Sequence, residues 1–451
     1  MFTFNSLDCL TDDNNTKGEH KVPKAILPVA GKPMIHYQME WLEAARAQDV
    51  LVVCPPGSKM EIQAQLLKYG VTPLKWKVKE TKHGEGTADA LRHVHEEIKT
   101  DFIVMACDVI TDVSPHHLID LHRIHNPAVT TLFYDNSKLD ANLERPAKKD
   151  AYAQYVGIDA GKGRLVYTKQ QEDVGDFLQL RTPMLRKFPK LSIHTNLRDA
   201  HVYIFKRWVL EVVVADPSIS SIRKDLLRVL LQCQFSENAR QKYGVATLKE
   251  KGIPFEEASL ASSANSDDVE TLLKCATERV QKKGEKTRDL PPHALEPKGH
   301  EVLCAAVVCG GDAFCARVNT PWSYAEVNRQ KAKTSSASTP VDLRNKQTQI
   351  GSDSIVESSA IGERCSIKKS VIGKHCVIGK NVKITNSIIM DHVVIEDFVK
   401  LDGCIVSMNA TISEKSQLKD CEVGPNHTVE KESVRTSEQL SQSHYLDIDQ
   451  S

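Results

Sequence analysis

Between residues 350 and 429 the aliphatic side chains recur at a spacing that neither a helix nor an ordinary strand can use. Ile350, Ile355, Ile361, Ile367, Ile372, Ile378, Ile384, Ile389, Ile395, Leu401, Val406, Ile412, Leu418, Val423 and Val429 are separated by repeating steps of 5, 6 and 6, a cycle of 17 residues. A helix requires a period near 3.6 and a half-buried strand a period of 2. Three short units per cycle instead close one turn of a three-sided prism, with each aliphatic pointing inward and stacking on its counterpart one coil away. Positions four residues further on, such as Cys365, Val371, Cys376 and Val382, are also small or apolar. Gly351, Gly362, Gly373, Gly379 and Gly424 directly follow inward positions, where a corner needs a positive φ or a close backbone approach. The pattern predicts a parallel β-helix over residues 346–432, about four to five coils, whose open ends need a cap or a docked neighbour. Residues 433–451 are polar and read as a disordered tail.

The first half has a different rhythm. Leu51-Val52-Val53-Cys54, residues 102–107 and residues 129–134 are apolar runs that read as buried strands, the first two parallel. They alternate with helical patterns at 33–47, 86–98, 114–125 and 217–234. Ser114 is a candidate cap and Pro115 a helix opener. This alternation predicts an α/β doubly wound domain over residues 1–235. Residues 236–300 read as a flexible insert with one short helix at 269–280, and residues 301–345 as a connector containing a strand at 302–309 and a Ser/Thr/Lys-rich linker from 331.

Composition excludes several classes. The 59 basic residues balance the 59 acidic ones, so no global charge drives binding to nucleic acid or to an anionic membrane. No apolar run is long enough to span a bilayer, and no secretory signal opens the chain. The 12 cysteines are scattered without a Cys-x-x-Cys pair, as expected of reduced thiols in the cytosol. Cys304, Cys309 and Cys315 could join a histidine around zinc, but core thiols are the plainer reading. Asp108 follows the strand at 102–107, at the end where α/β sheets bind ligands. A carboxylate there can hold a divalent cation that bridges phosphates, or simply cap the next turn. His375, His392 and His427 could serve as a base between coils, against the plainer reading of exposed corners.

Three motifs carry a resemblance. Val22-Pro23-Lys24-Ala25-Ile26-Leu27-Pro28-Val29-Ala30-Gly31-Lys32-Pro33, Gly86-Thr87-Ala88-Asp89-Ala90-Leu91 and Cys107-Asp108 resemble segments of the sugar-phosphate nucleotidyltransferases, which often end in a left-handed hexapeptide β-helix. The resemblance implies a pocket formed by Lys24, Gly86, Thr87, Asp108 and Asp199, the last in Asp199-Ala200-His201-Val202-Tyr203 where that family has N-A-G-x-Y. Active members open with an apolar strand and a G-G-x-G-x-R loop whose backbone amides cradle phosphates. The residues before Pro23 contain Gly18 as their only glycine and no arginine. His201 in place of the family glycine should crowd the site. The expected pocket is therefore vestigial, with no catalytic residue, metal or cofactor. Residues 1–10, with Phe2, Phe4, Leu7 and Leu10, either replace the missing central strand or mark a sequence without its true beginning.

Longer stretches narrow the resemblance. Residues 106–113, Ser220-Ser221-Ile222-Arg223, Arg317-Val318, Tyr324-Ala325-Glu326, Asn328-Arg329-Gln330 and residues 366–373 resemble the gamma-subunit family of eukaryotic translation initiation factor 2B. The resemblance implies a cytosolic, non-catalytic subunit of the guanine-nucleotide exchange factor that recharges translation initiation factor 2 with GTP. The expected partners are the epsilon subunit, the other subunits of the complex and translation initiation factor 2 itself, with no direct nucleic-acid or membrane contact. In that family, exchange catalysis resides in a helical C-terminal domain of epsilon. The alternative is an active sugar-1-phosphate nucleotidyltransferase resembling a mannose-1-phosphate guanylyltransferase.

Overall fold

The computed structural model describes residues 22–69, 74–82, 84–135, 154–159, 161, 163–175, 177–245, 302–310, 313–334 and 347–440. The expected strand or false start at 1–10, the helix at 269–280 and the tail at 441–451 lie outside these residues.

The 17-residue cycle folds as its periodicity requires. Three parallel ladders wind upward from Gln349–Ile350 to Gln439–Leu440, two with six strands and one with five among the described residues. Each strand but one pairs in register with residues 17 further on, so Ile367 lies on Ile384 and Ile384 on Leu401. In the first coil Ile355 pairs with Val371, 16 further on, which turns Ile355 outward and puts Val356 in the core position expected for Ile355. The inward aliphatics form one continuous core from Val356 to Val429, and each buried Ile or Leu contributes about 1.5–3 kcal/mol. Beneath one corner, Ser370 Oγ accepts from Ser387 N and Ser387 Oγ from Cys404 N, at 3.2 and 3.1 Å. These hydroxyls satisfy backbone groups that the corner leaves without a ladder partner. The coil does not stop at 432. Val434–Thr436 and Gln439–Leu440 continue the same ladders, because the 17-residue pairing needs backbone register and tolerates polar side chains at the exposed end.

The corner glycines have a different job from the first of their two expected ones. Positive φ falls on residues such as Arg364, His375, Asn381, His392 and Asn409. Gly362 instead permits close approach: a Cβ there would lie 2.3 Å from the carbonyl oxygen of Gly379 on the next coil. That neighbour is backbone and cannot move aside. Gly362→Ala should lower stability by about 1–3 kcal/mol in a urea titration. Gly175→Ala, which meets open space, should change it negligibly.

The α/β half is built on a seven-stranded sheet ordered Leu191–His194, Gln154–Asp159, Arg164–Gln170, Cys304–Val308, Val129–Asp135, Leu197–Phe205 and Phe102–Met105. The strand expected in a connector is thus central to this sheet. Cys304–Val308 runs parallel to Val129–Asp135, so the sheet is completed late in the chain. The expected flexible insert does not begin at 236, because the helix Glu237–Lys242 and the buried Val245 pack on the domain core. Asp49–Cys54 and Lys75–Glu80 form a separate parallel pair. Phe102–Met105, expected to be a buried parallel strand, pairs antiparallel with Leu197–Phe205 and is only half-buried over its first three residues. Among the described residues its other edge carries no ladder. Helices form at Met34–Ala44, Thr87–Val94 and Pro115–His125, near their expected bounds. Ser114 stands at the cap position but its side chain makes no capping bond. The helix expected at 217–234 begins late, as a wide turn at Ile222–Leu226 that leads into Leu227–Phe235.

One helix, Pro321–Thr334, joins the two halves. Tyr324 is fully buried, and its hydroxyl donates to the Pro28 carbonyl. Asn328 Oδ1 accepts from Ala30 N at 2.8 Å, and Arg329 donates to the Asn386 side chain on the coil. The core around Tyr324 includes Leu27, Met34 and Ile110 from the domain and Ile388, Met390 and Ile405 from the coil. Tyr69 adds a polar tie, since Lys374 Nζ donates to its hydroxyl at 2.9 Å. The coil is therefore docked on the domain by one of its three faces.

Candidate functional site

Asp108 leaves the Phe102–Met105 strand at a tight turn and enters Val109–Thr111. That short strand pairs antiparallel with Cys315–Arg317, placing Arg317 opposite Val109, and Val318 N donates to the Asp108 carbonyl at 2.6 Å. This pairing brings the Arg317 guanidinium onto the Asp108 carboxylate in a two-pronged grip. Nε donates to Oδ1 at 3.2 Å and Nη2 to Oδ2 at 2.6 Å. Lys24, on the 3-10 turn Lys24–Ile26, donates to Oδ2 at 3.2 Å. Asp108 has no exposed surface, and the Arg317 side chain is only 6% exposed.

The electrostatics follow from this packing. Burial alone would raise the Asp108 pKa, but the charges of Arg317 and then Lys24 outweigh it and hold the carboxyl well below the usual range. Burial works against the Arg317 charge, and Asp108 reverses that effect. His201 Nε2 lies 3.1 Å from Arg317 Nη1. Burial, then the charges of Arg317 and Arg223, push His201 well below its ordinary pKa, so the neutral ring accepts a hydrogen bond from the guanidinium. The two-pronged guanidinium and the ammonium thus engage three of the roughly four lone-pair sites of the carboxylate.

The other expected pocket residues have been put to structural use. Asp199 Oδ1 accepts from His201 N at 2.8 Å and Oδ2 from the Tyr203 hydroxyl at 2.6 Å. These bonds span the irregularity between Asp199 and Tyr203 in the strand pairing and steady His201 at φ +55°, a conformation that disfavours side chains other than glycine. Gly86 and Thr87 open the helix Thr87–Val94 and form their own junction. Ala88 N donates to Ser220 O at 2.8 Å, and Ile222 N donates to Thr87 Oγ1 at 2.9 Å. A Cβ on Gly86 would lie 2.2 Å from Ser220 O, so the chain segment fills the place beside this helix start. The structure thus brings together Lys24 and Asp108 with His201, and commits Gly86, Thr87 and Asp199 to local architecture.

The central residue that motif reading missed is Arg317. Its signal was a lone arginine between apolar neighbours in Phe314-Cys315-Ala316-Arg317-Val318, which implies a buried cation in need of a carboxylate. Cys304 and Cys315 are core thiols, with the latter pushed up to about 12 mainly by burial. Among the described residues no group of three or more metal-ligating side chains converges. His375 and His392 are exposed corner residues whose rings stack at 5.1 Å, whereas His427 is half-buried. No helix among the described residues is long and apolar enough to cross a membrane.

Comparison with known proteins agrees with this architecture. A nucleotidyl transferase family description matches residues 19–141, and one for the EIF2B subunit epsilon LbH domain matches residues 331–434. The translation initiation factor eIF2B subunit gamma of Schizosaccharomyces pombe is 32% identical over 355 residues, covering 78% of this chain and 70% of that protein. The gamma subunit of Dictyostelium discoideum is 27% identical over 385 residues, covering 79% of this chain and 82% of its own. The epsilon subunit of S. pombe is 21% identical over 216 residues, 46% of this chain and 31% of that protein. The sheet domain, the solenoid docked on it and the extent of these matches together place the chain in the eIF2B gamma-subunit family.

Proposed function

We propose that this chain is a non-catalytic, regulatory subunit of the eIF2B exchange factor. In this reading it pairs with the epsilon subunit and positions that partner for nucleotide exchange on translation initiation factor 2. Its own nucleotidyltransferase site is closed. The observation that carries the proposal is the buried Arg317–Asp108 grip, in which a guanidinium occupies the carboxylate that would otherwise present itself to a divalent cation. Transfer of a nucleotidyl group depends on cations and donors aimed at the phosphates, and here the principal carboxylate is spent on the fold. Lys24 and Asp108 are retained as an internal ion cluster.

The test is an assay of the purified chain with magnesium, nucleoside triphosphates and sugar 1-phosphates. No pyrophosphate release above the protein-free background is expected. Release that disappears in Asp108→Asn would overturn the closed-site reading and favour the nucleotidyltransferase alternative. Isolation of the tagged chain from cytosol tests the assembly: epsilon and its sister subunits should accompany it in fixed stoichiometry, with translation initiation factor 2 in lower amount. A chain that runs alone as a homo-oligomer would sink the subunit reading.

A further inference from the structure

The repeat constrains only the inward residues of the coil, so a bias among the outward ones is not required for folding. The three faces are biased very differently. One presents Ile355, Val371, Ile388 and Ile405, all buried against the domain and the Pro321–Thr334 helix. A second presents Ala360, Val377, Val394, Thr411 and Thr428, with no charge. The third is exposed and basic. Lys383 and Lys400 are direct neighbours in register, Lys368 lies on the strand before them and Lys419 on the strand after.

The Lys383–Lys400 neighbour pair works against the coil's own stability, whereas Lys419 has Asp402 beside it in register. Adjacent strands are about 4.8 Å apart, and like charges directly opposite repel. The ion pairs of the coil lie elsewhere, at Lys374–Glu357, Lys415–Glu432, Lys431–Glu414 and Arg435–Glu438. Among the described residues Lys368, Lys383, Lys400 and Lys419 have no acidic side chain in ion-pair contact, and Asp402 is the one carboxylate in their two columns.

We infer that this face docks an acidic, extended peptide segment of a partner protein. Four lysines climb four successive rungs over about 14 Å. An extended peptide laid across the rungs directs alternate side chains to one face every ~6.8 Å, so about three alternating carboxylates span the stripe. The remaining outward groups, Ser366, Thr385 and Gln417, offer hydrogen bonds. None of these outward groups is aromatic and the exposed Phe398 stands singly at the corner before Lys400, too few rings to stack successive bases, and Asp402 would repel a continuous row of phosphates, so a peptide fits better than a nucleic acid. The inference does not depend on the exchange-factor reading.

The test uses the full chain and two fluorescently labelled probes of equal length, a peptide of alternating aspartate and serine and a single-stranded RNA. Fluorescence anisotropy should show peptide binding at low salt that weakens as salt rises. Lys383→Glu/Lys400→Glu should weaken it by about tenfold or more, while Lys99→Glu, an exposed charge on the sheet domain, should leave it unchanged. Lys383→Glu alone replaces a like-charge pair with an opposite one, so its melting temperature should not fall although its peptide affinity does. Absence of peptide binding at low salt, equal loss with Lys99→Glu, or tighter binding of the RNA than of the peptide would overturn the inference.

Discussion

Arg317→Ala lowers the unfolding free energy by about 3 kcal/mol at neutral pH, at the lower end of the roughly 3–5 kcal/mol expected when one member of a buried ion pair is removed. Loss would be greater if Asp108 were then left alone, but Lys24 remains 3.2 Å away. Urea denaturation of the full chain measures the effect. Removing both partners, as Arg317→Met/Asp108→Leu, should cost less than the two single changes summed, because no uncompensated charge remains. The effect also has a definite pH dependence. The folded-state pKa of Asp108 lies below the unfolded value of about 3.9, so its stabilisation is fully present above that value and is lost as pH falls through it towards the folded one. The gap between wild type and Arg317→Ala should therefore hold from pH 7 down to about 4 and narrow as the pH falls below that. A gap that stays constant would show that Arg317 acts through packing rather than charge.

The second large effect is at the joint. Tyr324→Ala empties a fully buried site shared by domain and coil and should cost about 3–5 kcal/mol, as for other large-to-small core changes. Its sharper signature is a loss of cooperativity. Calorimetry of the wild type should show domain and coil melting together, whereas the variant should resolve two transitions. Tyr324→Phe keeps the volume but orphans the Pro28 carbonyl, at a cost of about 1–3 kcal/mol, and should retain one transition. If Tyr324→Ala still melts in one step with little change, the helix Pro321–Thr334 does not couple the two halves.

Legibility in the sequence tracked how local each cause is. The coil was readable because aliphatic residues at one spacing line its interior, from Ile361 to Val429. Its end was misplaced because Val434–Thr436 and Gln439–Leu440 are held by backbone pairing to the previous coil and carry polar side chains. In the sheet domain, periodicity found Val129–Asp135 and the Pro115–His125 helix. It could not show that Cys304–Val308 returns across the insert to pair beside Val129–Asp135, since strand order is a long-range property. At the site, motif likeness named Lys24, Asp108, Asp199, Gly86 and Thr87, and what it could not show is the local bonding of the last three. Arg317 belongs to a stretch that carries the family likeness, but its role depends on the antiparallel pairing of Cys315–Arg317 with Val109–Thr111.

Because every rung of the prism pairs only with the rungs above and below, the height of the structure is quantised. Adding or removing one full set of 17 residues lengthens or shortens the column by a single step and returns each side of it to the same heading. A lineage can therefore alter how far such a column projects from the domain in discrete increments while preserving which way each surface points.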